Sequence, residues 1–276
     1  MIRLLLLLTI PLTVFSAEPD KKLHERSLYP TIKISYEKKL CDCDECKNKP
    51  GQAVASAFVV KSELVKEGRL SGSYINSVVT AAHNVENVTA TVNLHVGKYQ
   101  NWSTLVGFDK YEAIIYSINK KMDLAVLVFK SEKPMPCSEM DLDSEPFFGT
   151  QVFKIGYGLG DDIRIDFGNI TSVDTKQPEK LRGFLRSNCY TIFGDSGGPL
   201  FFRDDCKVVG VTSSIRGSDS LFLNSQSYFT PIRWLKTWDE EAKGSLGFIY
   251  KSDKKIPQTL IYQLWMKDYE VEGKRK

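Results

Sequence analysis

The feature that most limits the fold is a succession of short apolar runs that begins at Gln52. Ala55–Val60, Tyr74–Thr80, Ala90–Val96, Ala113–Ile118 and Leu124–Phe129 make one set, divided by polar turns. Several are rich in Val and Ile, and no sustained 3.6-residue stripe runs through them, which is a strand pattern rather than a helical one. A second set follows: Gln151–Ile155, Ile163–Asp166, Asn169–Val173, Leu181–Ser187, Leu200–Arg203, Val208–Ser213 and Ser227–Pro231. Between the sets, Ser131–Pro146 carries three prolines, several acids and little periodicity, and reads as a linker. Two groups of about six strands suggest two small closed barrels, with one long sandwich as the alternative that strand counting leaves open. The expected class is all-β: two six-stranded antiparallel β-barrels with a short C-terminal helix. That helix falls at residues 231–243, opened by Pro231, with Trp234, Leu235 and Trp238 sharing a face. Thr259–Met266 has the character of a further helix.

The chain ends add context. Residues 1–16 read as an export signal: Arg3 supplies the positive start, Leu4–Val14 the short apolar run, and Ser16 and Ala17 the small residues at its end. The run is far short of the roughly 20 apolar residues that span a bilayer. No later segment is long and apolar enough either, so no membrane contact is expected after signal removal. The expected organisation is signal 1–16, a Cys-containing segment 17–50, a first barrel 51–135, a linker 136–146, a second barrel with helix 147–243, and an extension 244–276. The protein is expected to be secreted, or periplasmic in a bacterium, and monomeric. Lys and Arg total 37 against 34 Asp and Glu, so the net +3 gives no electrostatic grip on nucleic acid.

Six cysteines stand at Cys41, Cys43, Cys46, Cys137, Cys189 and Cys206. An even count behind an export signal favours disulfides, with many pairings open. The cluster Cys41, Cys43 and Cys46 has no His or fourth Cys close by, which argues against a metal site. Glycosylation sequons begin at Asn87, Asn101 and Asn169 and matter only in a eukaryotic host.

The strongest chemical signal is Gly194-Asp195-Ser196-Gly197-Gly198-Pro199, followed by apolar Leu200-Phe201-Phe202. A Gly-rich turn feeding a strand lets backbone approach a ligand closely and leaves a serine hydroxyl projecting. The N–H groups around that serine can converge on one oxygen, an oxyanion hole in which one donor is worth about 10²–10³ in rate. The same residues fit the G-x-S-x-G elbow of α/β-hydrolases, whose histidine follows the serine. The histidines here are His24, His83 and His95, all before Ser196, so that reading fails on chain order. Serine needs a base. His24 lies in the leading polar segment and His95 in the strand-like Leu94-His95-Val96, whereas His83 ends the apolar run Val78-Val79-Thr80-Ala81-Ala82. A strand end is where a rigid scaffold presents a reactive side chain. Asp123 opens the fully apolar run Leu124–Phe129, and a carboxylate there needs partners.

Thr80-Ala81-Ala82-His83, Asp123-Leu124-Ala125-Val126-Leu127 and Gly194–Pro199 together resemble the three signatures of trypsin/chymotrypsin-like serine peptidases, in that family's order, over roughly residues 52–240. The resemblance implies an endopeptidase acting through an acyl-enzyme on Ser196, on protein or peptide substrates and without cofactor or metal. His83 would be the base and Asp123 its orienter. Gly194 and Ser196 would supply the oxyanion amides. The specificity pocket would be formed by Tyr190, Thr191, Ser213, Ser214, Ile215 and Ser227. With no Asp at its floor, a neutral side chain is expected there, although Arg216 turning inward would favour an acidic one. A catalytically silent homologue acting as a binding protein is the alternative from another class. Animal members pair a newly cut Ile-Val-Gly-Gly-like terminus with the Asp before the serine, a motif absent between residues 17 and 60. Lys154 is therefore expected to pair with Asp195 from within, as an internal cation does in secreted bacterial relatives. Cys189 and Cys206 flank the Ser196 loop and could bridge it, and Cys137 could tie down one of the N-terminal cysteines, as a related bridge does in chymotrypsin-like enzymes.

Overall fold

The alternation of the apolar runs is resolved into strands in the computed structural model, which describes residues 21–39, 50–88, 91–100, 104–160, 162–173, 183–216 and 226–273. A short helix α1 (Lys21–Leu23) and a helical turn His24–Leu28 lead into β1 (Thr31–Lys39), β2 (Pro50–Leu64), β3 (Tyr74–Thr80), β4 (Thr91–Gln100), β5 (Thr104–Asn119) and β6 (Leu124–Ser131). The second set is β7 (Gln151–Gly156), β8 (Arg164–Val173), β9 (Leu185–Ser187), β10 (Pro199–Phe202), β11 (Val208–Arg216) and β12 (Gln226–Pro231), followed by helices α2 (Trp234–Glu241) and α3 (Gln258–Gly273). Antiparallel order β1-β2-β3-β6-β5-β4 closes one barrel through β1 on β4, and β10-β11-β12-β9-β8-β7 closes the other through β10 on β7. The chain is all-β with two six-stranded barrels, and closure removes the open edges a sandwich would leave.

The period of two decides which core each residue fills. On β6, Ala125, Leu127 and Phe129 point into the first barrel with Ile32, Ile34, Val78 and Leu94. Leu124, Val126 and Val128 point the other way, into a core shared with Phe153, Ile155, Phe201 and Val211 of the second barrel. On β7 and β10 the same alternation sends Val152 and Leu200 into the second barrel's interior. Strands buried on both sides read as continuous apolar runs, which is why β6 stands out in the sequence.

Four expectations change. β1 lies before residue 51, so the first barrel begins within the segment read as polar; Ile32, Ile34 and Tyr36 are its buried face. The two runs at Ile163–Asp166 and Asn169–Val173 are one strand, β8, because Gly168 sits inside the ladder opposite Val152. A Cβ at Gly168 would press on the backbone N of Cys189 at 2.9 Å, so glycine marks a close approach there and not a break. α2 starts at Trp234, since Pro231 still pairs with Gly210; Leu235 and Trp238 are buried, and Trp234 meets Phe184 edge-on. Cys189 faces the interior of the second barrel and Cys206 the shared core, so the expected bridge between them does not form. Cys137 donates to the Met135 carbonyl at 3.3 Å, and among the described residues no disulfide occurs. Burial pushes the Cys137 and Cys189 thiols up to about 11. The export signal, Cys41, Cys43, Cys46 and Asn101 lie outside the described residues, whereas Asn87 and Asn169 are exposed.

Past α2 the chain crosses onto the first barrel. Leu246, Phe248, Ile249, Ile256, Leu260 and Leu264 enter the shared core. The Lys61 ammonium on β2 donates to the Phe248 carbonyl at 2.6 Å. Buried Asp239 accepts from the Leu246 N–H at 2.7 Å, the Tyr250 hydroxyl at 2.6 Å and the Lys251 ammonium at 3.2 Å. Burial alone would raise its pKa, but these donors outweigh it and hold the carboxyl below its ordinary value. A lowered folded pKa stabilises above the ordinary aspartate range near pH 4 and is lost as pH falls through the folded value. Asp239→Asn is expected to cost about 2 kcal/mol above pH 5 and to speed amide exchange at residues 244–264, with the difference from wild type shrinking under strong acid. No helix among the described residues is long and apolar enough to cross a membrane.

Candidate active site

The β3–β6 register brings His83 and Asp123 together. Thr80 lies opposite Ala125, so the residues just beyond β3 meet those just before β6. His83 sits in the tight turn Ala82–Asn84. Asp123 adopts φ 52°, a left-handed conformation that Asp tolerates better than most residues. Its Oδ1 accepts the His83 backbone N–H at 3.0 Å, and both carboxylate oxygens lie 3.0 Å from His83 Nδ1. The Ser213 hydroxyl donates to Oδ2 at 2.5 Å. The carboxylate side chain is 15% exposed and the imidazole 40%. An ionised carboxylate only accepts, so Nδ1 carries the ring proton and Nε2 keeps its lone pair.

Ser196 arrives from the second barrel, in the turn between β9 and β10, and first-barrel groups fix that turn. The Ser56 N–H and the Asn84 side-chain amide donate to the Ser196 carbonyl at 2.8 and 3.0 Å, and the Ser56 hydroxyl donates to the Gly194 carbonyl at 2.8 Å. Gly197 has φ +85°, and a Cβ there would collide with Thr80 Oγ1 and the Ser56 carbonyl, so the Ser196 turn can lie this close to the first barrel only because this residue has no side chain. The Ser196 hydroxyl donates to the Ser213 carbonyl at 3.5 Å. The Phe193 carbonyl accepts from the Leu159 N–H at 2.6 Å. Because the peptide is planar and trans, the Gly194 N–H points away from Leu159. Neither Gly194 N–H nor Ser196 N–H donates to a backbone acceptor among the described residues.

Asp195 is buried beside this turn. Lys154 of β7 is 1% exposed, and its ammonium lies 2.6 Å from Asp195 Oδ2, which also accepts from the Ile192 N–H at 3.0 Å. The expected internal pair is present.

The residues expected to form the specificity pocket divide. Thr191 is buried, and the buried Ser227 hydroxyl donates to the Cys189 carbonyl at 2.7 Å. Tyr190 is 41% exposed, its N–H held by Asp166 and its ring 5.5 Å from the Arg164 guanidinium. Ser214 is half-buried on β11, where Ile215 pairs with Ser227; the Ile215 and Arg216 side chains lie outside the described residues. Ser213 joins Asp123 and Ser196 through its hydroxyl and carbonyl. Ser56 and Asn84 were not picked out from sequence, and Thr80 only as part of the signature before His83; a serine inside the otherwise apolar run Ala55–Val60 is the signal that marks Ser56, which is fully buried. His24 and His95 lie elsewhere: His24 in the leading helical turn, His95 on β4 with Nε2 2.8 Å from Ser35 Oγ. A shallow depression with room for little more than a water, about 10 Å³, is lined by Tyr36, Glu37, His83, Asn84, Asn87 and Val88.

The family model described as a trypsin-like peptidase domain matches residues 55–211, more than half of the chain. Among curated proteins, a putative protease Do-like 14 of Arabidopsis thaliana is 28% identical over 152 residues, which cover 51% of this chain and 34% of that one. A probable periplasmic serine endoprotease DegP-like of Rickettsia prowazekii is 28% identical over 144 residues, covering 50% of this chain and 26% of the relative. Serine protease HTRA3 of Rattus norvegicus is 26% identical over 141 residues, covering 49% and 30% respectively. The matched segment thus spans about a third or less of these relatives' length. Two closed barrels, the order His83, Asp123, Ser196 and the family match agree, and the chain belongs to the trypsin-like serine peptidase family.

Proposed function

We propose that the protein is an exported serine endopeptidase that cleaves peptide bonds through an acyl-enzyme on Ser196. The observation that supports this reading is an imidazole held by Asp123 in the turn Ala82–Asn84, whose last residue donates its side-chain amide to the carbonyl of Ser196 on the Gly-rich turn of the other barrel. With Nδ1–H committed to Asp123, Nε2 takes the Ser196 proton as Oγ attacks the scissile carbonyl. In the resting state the hydroxyl points at the Ser213 carbonyl, and a rotation about the Cα–Cβ bond turns it toward His83. The Gly194 and Ser196 N–H groups receive the oxyanion. The imidazolium then protonates the leaving amine, and water, deprotonated by the same nitrogen, hydrolyses the ester.

Thr191 and Ser227, the buried members of the expected pocket, carry no charge, which supports a neutral side chain before the scissile bond. The buried Lys154–Asp195 pair supports activity without an activating clip, because the carboxylate that a new terminus would neutralise already has a cation. The likeness to a protein named as a periplasmic endoprotease supports export. Asp123→Asn is expected to keep the fold and lower kcat about 10⁴-fold, because the amide favours the wrong imidazole tautomer. Steady-state kinetics on a peptide library substrate checks this; a loss under about tenfold contradicts the assigned role.

A further inference from the structure

We propose that Lys33, on the first barrel, is a positioning residue for the Gly194 amide; this rests on the reading of Ser196 as nucleophile. Lys33 stands between buried Ile32 and Ile34, so its side chain leaves the barrel on the opposite face. Its ammonium crosses to the second barrel and donates to the Gly160 carbonyl at 2.9 Å, lying 4.8 Å from the centre of the Phe108 ring. The β2 residue Val54 abuts the same glycine: a Cβ there would sit 3.1 Å from its Cγ2. First-barrel side chains thus grip the turn Tyr157–Gly160, which the Gly160 N–H closes onto the Tyr157 carbonyl at 3.0 Å.

That turn holds an unfavourable conformation. Leu159 has φ 59° and Gly160 φ 78°, successive left-handed residues, and a leucine rarely adopts that region. The Leu159 side chain is 68% exposed, so its own packing does not hold it there. What the conformation supplies is the Leu159 N–H aimed at the Phe193 carbonyl, 2.6 Å away. Fixing that carbonyl fixes the other end of the same planar peptide, the Gly194 N–H. Gly194, at φ +98°, has no Cβ to resist a peptide flip. With the grip of Lys33 removed, Leu159 relaxes, Phe193 loses its donor, and the Phe193–Gly194 peptide turns its carbonyl toward the oxyanion position in part of the population. The device completes the site only when both barrels are docked.

The test uses the full chain, a peptide substrate and a fluorophosphonate probe, on wild type, Lys33→Met, Lys33→Arg, Leu159→Gly and the Lys33→Met/Leu159→Gly pair. Lys33→Met is expected to lower kcat about ten- to a hundredfold, below the 10²–10³ that complete loss of an oxyanion donor costs because only part of the population loses it, with KM nearly unchanged. Arginine at position 33 restores most of the rate, because it too donates to a carbonyl. In the Leu159→Gly background the effect of Lys33→Met shrinks, since glycine adopts a left-handed φ freely. Wild-type kcat in Lys33→Met overturns the proposal, as does Lys33→Arg no better than Lys33→Met, or an undiminished loss in the glycine background. Should Lys33→Met fold poorly, Lys33→Arg and Leu159→Gly each compared with wild type still decide it: a large kcat loss in the former or none in the latter's labelling of Ser196 at low probe counts against and for it respectively. A wild type that the probe does not label overturns the nucleophile reading and this proposal with it; a labelled wild type with unchanged Lys33→Met removes this proposal alone.

Discussion

Ser196→Ala is expected to lower peptide turnover about 10⁶-fold while leaving the barrels intact. On the proposed mechanism the loss is large because Ser196 Oγ is the atom that forms and breaks the acyl bond, and His83 with Asp123 would have nothing to activate once it is gone. The structural cost is small because the turn is held by its backbone. The Ser196 carbonyl keeps its bonds from Ser56 and Asn84, and the hydroxyl makes a single long contact at 3.5 Å to the Ser213 carbonyl. Stability should therefore stay within about 1 kcal/mol of wild type. The residual rate, about 10³ over water, reports what the oxyanion amides contribute without a nucleophile. Kinetics and urea unfolding on one preparation separate the two effects, and a variant that keeps more than about a hundredth of the rate points to another nucleophile.

The second large effect is expected at Lys154. Both members of the Lys154–Asp195 pair are about 1% exposed, where an unpaired carboxylate is costly. Asp195 Oδ1 has no hydrogen-bond partner among the described residues, so Oδ2 carries the pairing. Lys154→Met leaves that oxygen with the Ile192 N–H as its remaining donor, and breaking a buried pair from one side costs about 3–5 kcal/mol. The same change frees the turn 192–195 and should suppress activity beyond what the stability loss explains. Adding Asp195→Asn removes the stranded charge and should recover part of the stability. An urea midpoint and a kcat both unchanged in Lys154→Met show that the pair neither stabilises the barrel nor prepares the site.

Much of the candidate site was legible because the proposed chemistry needs particular residues in a particular order. His83 ends a strand, Asp123 opens one, and Ser196 lies in a Gly-rich turn that ordinary turns do not require. The β3–β6 register then makes neighbours of two residues forty positions apart. β1 was legible in principle, since Ile32, Ile34 and Tyr36 alternate, but its outward Lys33 and Ser35 gave the stretch a polar appearance. Those residues are turned to contacts with Gly160 and His95 that no local pattern encodes. The cysteines failed for a related reason. Separation along the chain does not say which side of a barrel wall a thiol faces, and Cys189 and Cys206 face different cores. Gly168 shows the same limit: a glycine within a strand reads as a break until the neighbouring 188–189 backbone that needs its missing Cβ is in view.

The most direct measurement is labelling of the folded protein with a fluorophosphonate probe, beside Ser196→Ala, followed by identification of the modified residue. Label on Ser196 in the wild type and none in the variant is the expected result, since only an activated serine with an oxyanion hole reacts at a useful rate. A wild type that is folded by circular dichroism yet takes no label contradicts the proposed peptidase and favours a silent homologue that binds its partners without cutting them.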